Sequence, residues 1–122
     1  MSWRVLYYED ETGHESVVDE IAEFPKKAQA KLLRLVDLLE EQGPIRLGGD
    51  YSSHIEGDIW ELRVYFSSGR FRMLYFTVVD RTVILLRAFQ KKTHKTPPPE
   101  IAAARRRRKD CLERRPWSHG EA

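Results

Sequence analysis

The chain has 122 residues, 41% of them hydrophobic, with three tryptophans, one cysteine and a formal net charge of +2. That length suits one domain whose core can stand without disulfides, and the composition excludes a disordered chain. No apolar run approaches the ~20 residues of a membrane span.

The lone Cys111 allows no internal disulfide, and "MSWRVLYYEDETG" turns acidic with no basic flank or apolar block, unlike a signal peptide. A cytoplasmic protein without a membrane role is expected. The small net charge hides a split. Residues 1–58 carry six Lys/Arg against thirteen Asp/Glu, whereas residues 59–122 carry fifteen against six. A basic C-terminal half points to a polyanionic partner; its plainer reading is solvated surface.

In chain order, the aromatic and β-branched run Trp3–Tyr8 predicts a strand. Val17, Ile21 and Phe24 recur at helical spacing, with Ser16 as a helix start and Glu20 nearby. Pro25 suits the first turn of a second helix, whose apolar stripe is Ala28, Leu32, Leu35, Val36 and Leu39. Gly43 and Pro44 end it. The two helices read as an antiparallel hairpin. "PIRLGGDYSSHIEGD" reads as a loop. Three strands follow, Ile59–Phe66, Arg70–Val79 and Thr82–Phe89, joined at "SSG" and "DR". The first two alternate apolar and polar residues, and the third is nearly all apolar, as a strand buried on both faces would be.

The expected fold is therefore α+β: a small twisted antiparallel sheet covered on one face by the N-terminal helical hairpin, its other face at least partly free. Pro97–Pro99 reads as a rigid spacer before a basic helix, in which seven of the residues 105–115 are Lys or Arg. Ile101, Ala104, Cys111 and Leu112 make only a thin apolar stripe there, so this helix is expected to dock lightly or project. The domain should span 1–115, with 116–122 a frayed tail.

No glycine-rich phosphate loop, CxxC or HExxH is present, and His14, His54, His94 and His119 lack metal-ligand spacing. No metal or cofactor is expected. What remains is a set of cations on strands. Arg63, Arg70 and Arg72 must each reach solvent, pair or face a ligand. The bland reading is strand solubility, with Glu61 and Arg63 paired across to Arg72. Lys91, Lys92, His94 and Lys95 leave the last strand beside the same sheet. Such a cluster suits a phosphodiester backbone, with Tyr65 able to stack a base; Phe71 is better placed as core.

The ordered set "IWELRV", "GRFRMLYF" and "ILLRAFQKKTHKTPPPEIAAARRR" resembles the HigB-like, phage Gp49-like branch of the RelE/ParE superfamily, the toxins of type II toxin–antitoxin systems. The resemblance covers roughly residues 3–110. It implies an active sheet face opposite the helical hairpin, and metal-independent cleavage of mRNA on the ribosome. The RNA 2′-hydroxyl attacks the neighbouring phosphate and leaves a 2′,3′-cyclic phosphate and a free 5′-hydroxyl.

By the same resemblance, Arg72, Arg63 and Lys92 stabilise phosphate, His94 or Lys95 moves the proton, and Glu61 is a base or a salt-bridge partner that orients Arg63. Arg70, Lys91, Lys95 and Tyr65 hold substrate, and Arg105, Arg106, Arg107, Arg108 and Lys109 grip ribosomal RNA. His54 ranks below these. The chain departs from the RelE pattern in lacking a lysine pair on the "IWELR" strand and a tyrosine in the C-terminal segment, which leaves the acid and base open. Implied partners are a helix-turn-helix antitoxin, mRNA and the ribosome, with the chain a monomer or part of a toxin–antitoxin complex. Two other functions fit the same residues: a ParE-like poison of DNA gyrase, and a catalytically silent nucleic-acid-binding module.

Overall fold

The computed structural model describes residues 2–92 and 94–116; Thr93, His119 and the expected frayed tail beyond Pro116 lie outside the described residues. Among the described residues nine elements follow in order: β1 Arg4–Tyr7, α1 Ser16–Ala22, α2 Lys26–Gln42, α3 Pro44–Leu47, β2 Ser52–Glu56, β3 Ile59–Phe66, β4 Gly69–Val78, β5 Thr82–Lys91 and α4 Pro98–Arg114. The five strands form one sheet in the order β1-β5-β4-β3-β2.

Strands β2 to β5 make an antiparallel meander. Short hairpin turns force that direction. β1 departs from the all-antiparallel expectation: it runs parallel to β5, pairing Arg4 with Thr82 and Tyr7 with Leu85. No turn joins those two strands, so nothing local fixes their relative direction.

A second difference is β2, which occupies part of the stretch read as a loop. Its Ser, His and Glu content conceals it, yet Gly57 at φ +51° turns the chain back onto β3. Ser52 is buried there and shares a 2.7 Å hydrogen bond with the Tyr75 hydroxyl.

The stripe of α2 is buried as its spacing predicts, through Ala28, Leu32, Leu35, Val36 and Leu39. α1 packs along β5, and α2 lies across β3 and β1. Register rows such as Leu62–Met73–Ala88 and Val64–Phe71 floor this core, with Phe24 resting on Phe71 at a ring separation of 4.8 Å. The helix starts differ in detail from expectation. Glu15, not Ser16, occupies the N-cap of α1 and makes no side-chain cap, and Pro25 is the N-cap of α2. Gly43 ends α2 at φ +81°, and a Cβ there would stand 2.4 Å from the Trp3 indole nitrogen. Both the backbone angle and the packing of Trp3 require glycine.

The opposite face of the sheet is less open than its sequence suggests. α4 packs on β5 and β4 and buries Ala103, Ala104 and Cys111, while Leu112 stays exposed. Arginines supplement the thin apolar stripe: Arg108 lies over the Phe76 ring and Arg107 over Tyr8. Their aliphatic stems cover apolar surface while their heads find carboxylates. Pro98 and Pro99 form the first turn of α4 rather than a spacer, with Pro97 as its N-cap. Prolines fit there because those N–H groups have no helical partner.

Candidate functional site

Register places the candidate residues with no appeal to side-chain reach. Tyr65, Arg70 and Lys91 are partners across β3, β4 and β5; Arg63, Arg72 and Phe89 form the next row; Glu61, Leu74 and Arg87 the third. Partners in register share a face, so these rows lie together on the side of the sheet away from α2. α4 reaches the third row, where Arg87 pairs with Glu100 at 2.7 Å. The first row is left at the open end of the face.

Arg72 and Glu61 form a withdrawn pair. Each residue is 4% exposed, and Arg72 Nε lies 3.4 Å from Glu61 Oε1. That contact is an ion pair and not a hydrogen bond. Arg72 also donates to the Phe71 carbonyl at 3.2 Å, and its guanidinium sits 5.3 Å from the centre of the Tyr65 ring. Glu61 is held from two sides, accepting from the Ser53 hydroxyl at 3.3 Å and from the Thr96 hydroxyl at 3.1 Å. Thr96 thus ties the segment after β5 to the middle of the sheet. Glu61 orients Arg72, rather than Arg63. Arg63 is half-buried, and its Nε has no hydrogen-bond partner.

The exposed cations gather elsewhere. Arg70, Gln90, Lys91, Lys92, His94, Ser68 and Gly69 line an open cleft of about 410 Å³ at the end of β4 and β5. Lys95 is exposed next in sequence. Three cationic side chains and an imidazole around one hollow suit a phosphate group with a proton donor beside it. The structure therefore separates the sequence-predicted residues into a buried pair, Arg72 and Glu61, and an accessible group, Arg70, Lys91, Lys92 and His94. Tyr65 is exposed and touches both.

The arginine run of α4 is mostly engaged within the fold. Arg105 pairs with Glu56 at 3.0 Å, Arg108 with Asp58 at 2.6 Å, and Arg107 with Glu20 at 2.8 Å. Arg106 and Lys109 are exposed. Arg107 and Glu20 also serve the edge of β5 beyond the end of β1: Arg107 donates to the Leu86 carbonyl at 2.8 Å, and Glu20 accepts from the Ala88 amide at 3.0 Å. The ion pair stands in for the strand that is missing there.

Further down α4, the Tyr8 hydroxyl donates to Asp110 at 2.5 Å, and Arg114 donates to the same carboxylate at 2.7 Å. Burial, then the bond to Asp110, pushes the Tyr8 phenol up to about 12. The Arg114 and Tyr8 hydrogen bonds hold Asp110 below the usual carboxylate range. Burial likewise pushes the Cys111 thiol up to about 11, which leaves it inert. Away from this face, His14 pairs with Asp19 at 2.6 Å, and His54 bonds the Gly57 carbonyl at 2.7 Å beside Trp60. Among the described residues, no three His, Cys, Asp or Glu side chains could hold a metal ion, and no helix is long and apolar enough to cross a membrane.

Sequence reasoning did not single out Thr96 and Ser53 as the holders of Glu61, or Glu20 as the cap of β5. The partners are 35, 8 and 68 residues apart in the chain, so no local spacing reveals them.

No curated protein matches the chain. Among solved structures, the chain is similar to one in the crystal structure of an archaeal RelE–RelB complex from Pyrococcus horikoshii OT3, at 23% identity and a TM-score of 0.49, covering 73% of this chain and 94% of that one. A family model described as phage-derived protein Gp49-like matches residues 19–109, from the middle of α1 to within α4. With three quarters of its length inside that match, the chain belongs to the Gp49-like family, a family of RelE/HigB-type toxins.

Proposed function

We propose that this toxin cleaves mRNA on the ribosome in the cytoplasm, without a metal, and that a helix-turn-helix antitoxin neutralises it. The observation that carries the reading is the row Tyr65–Arg70–Lys91, which borders the cleft holding Lys92 and His94 at the open end of one sheet face. In the reaction, the RNA 2′-hydroxyl loses its proton to solvent water as its oxygen forms a bond to the adjacent phosphorus and the bond from phosphorus to the 5′-oxygen breaks. The products are a 2′,3′-cyclic phosphate and a 5′-hydroxyl. Arg70, Lys91 and Lys92 bind the phosphate and balance the charge that grows on it. His94 protonates the departing 5′-oxygen, with Lys95 as the alternative donor.

Arg63 and Arg72 form the row behind. Arg72 reaches the phosphate by exchanging Glu61 for it, so Glu61 is a positioning residue that keeps the guanidinium ready. Tyr65 offers its ring to a base beside the scissile bond.

The test is cleavage mapping by primer extension on translating ribosomes, with the purified chain and its Arg70→Ala, Lys92→Ala, Arg72→Ala and His94→Ala variants. Wild type should cut, and loss of each phosphate contact should slow cutting by ~10²–10³. Intact mRNA together with stabilised gyrase–DNA breaks would replace this reading with the ParE-like one. Intact mRNA and untouched gyrase would leave a silent binding module.

A further inference from the structure

A groove runs between α2 and the side of β3 that β2 leaves uncovered. It is open along its length, has a volume of about 620 Å³, and lies apart from the cationic cleft. Leu35, Leu38 and Val64 make its apolar floor, and Tyr51 and Tyr65 line it too. Tyr51 is 48% exposed and Tyr65 51%, so both rings keep surface that a partner would bury.

Its rim is basic. Lys31, Arg34 and Arg63 stand around the apolar floor, against one carboxylate, Asp50. Lys31 spends its ammonium on the Tyr65 carbonyl, at 3.0 Å, and lies over Phe66. The Arg63 Nε is buried without a hydrogen-bond partner. Apolar side chains seated on this floor would bring acidic neighbours against Arg34 and Arg63.

We infer that this groove docks an acidic segment of the antitoxin carrying apolar anchor side chains. The inference rests on the toxin reading above and adds where its regulator sits. Tyr65 and Arg63 belong to both the groove and the candidate RNA face, so an occupied groove would touch the β3 end of the first two rows of that face. Burying the two aromatic rings anchors the segment, and the basic rim selects its charge.

The test uses the full chain and two synthetic twelve-residue probes, one alternating Glu with Leu and one alternating Lys with Leu, followed by fluorescence anisotropy. The Glu/Leu probe should bind and the Lys/Leu probe should not. The charge reversal Arg34→Glu combined with Tyr51→Ala should weaken the Glu/Leu probe at least about tenfold. Both substitutions are at exposed positions, and a thermal melt reports whether the variant is folded. Equal binding of the two probes, no binding of either, or binding that the folded variant leaves unchanged overturns the assignment. Because the readout contains no RNA, it separates from the first proposal. A probe that binds a chain unable to cut mRNA sinks the nuclease reading alone; a chain that cuts mRNA but ignores the probe sinks the groove alone.

Discussion

Glu61 and Arg72 are joined across β3 and β4 with both residues only 4% exposed, the carboxylate fixed further by Thr96 and Ser53. Removing one charge leaves the other unpaired in a site with little water. Glu61→Ala should therefore cost ~3–5 kcal/mol of stability, whereas the double change Glu61→Leu with Arg72→Met should recover much of it. Urea unfolding of the two singles and the double gives the coupling. Singles that lose less than ~1 kcal/mol would mean that the pair behaves like a solvated surface contact. The same measurement guards the cleavage assay, since Arg72→Ala has to be folded before its loss of activity means anything.

The exposed edge of β5 gives a contrast within one helix. Arg107→Ala deprives the Leu86 carbonyl of its donor and Glu20 of a partner, and should destabilise by ~1–3 kcal/mol. Arg106→Ala, one residue away and exposed, should stay within ~0.5 kcal/mol. Hydrogen exchange supplies the local readout: the Ala88 amide, which donates to Glu20, should exchange faster in Glu20→Ala. Equal effects of Arg106→Ala and Arg107→Ala would show that the edge contact contributes nothing.

The Tyr8–Asp110–Arg114 cluster predicts losses of stability at both ends of the pH scale. Asp110 titrates lower in the folded chain than in the unfolded one, so its stabilising effect is present above the unfolded value of ~3.9 and fades as pH falls further. Tyr8 titrates higher when folded, so its effect is complete below the unfolded value of ~10 and fades as pH rises toward the folded value. That folded value is about 12. Melting temperatures from pH 3 to 11 should show Asp110→Asn flattening the acid limb and Tyr8→Phe the alkaline limb. Phenolate absorbance should find Tyr8 among the last tyrosines to ionise.

The ion pairs of α4 reapportion the RNA contacts proposed for it. Arg105, Arg107 and Arg108 already have carboxylate partners, which leaves Arg106 and Lys109 as the first candidates for phosphate contacts. Ribosome affinity of Arg106→Ala with Lys109→Ala should fall, and the slope of log K against log salt should drop by ~1–2, as loss of up to two phosphate contacts requires. An unchanged slope would return the whole run to surface solvation and intramolecular pairing.

The legible parts of the fold were those set by short-range pattern. The alternation of Trp60, Leu62, Val64 and Phe66, and the stripe from Ala28 to Leu39, fixed strand and helix without help. β2 escaped because Ser52, Ser53 and His54 look like loop residues; the Gly57–Asp58 pair ahead of "IWELR" was the available hairpin signal. Alternation put Arg63, Arg70 and Arg72 on one face, as the register has them. It could not say which would be buried, because that is decided by Glu61 on a neighbouring strand and by Thr96 arriving from beyond β5. The docking of α4 was hidden for a related reason: arginine stems and paired heads do work that hydrophobicity patterns assign only to Leu and Ile.

The parallel pairing of β1 with β5 has a consequence for how the chain comes into being. Arg4–Tyr7 is synthesised before its partner Thr82–Leu85, which follows about 80 residues later, a separation that favours slow closure. Until then β1 has no strand to pair with in the sheet. The meander and the two early helices can assemble first, leaving the N-terminal strand to close the edge of β5 as a final step. β1 therefore waits unpaired while the strands that follow it are made, and only β5 gives it a neighbour.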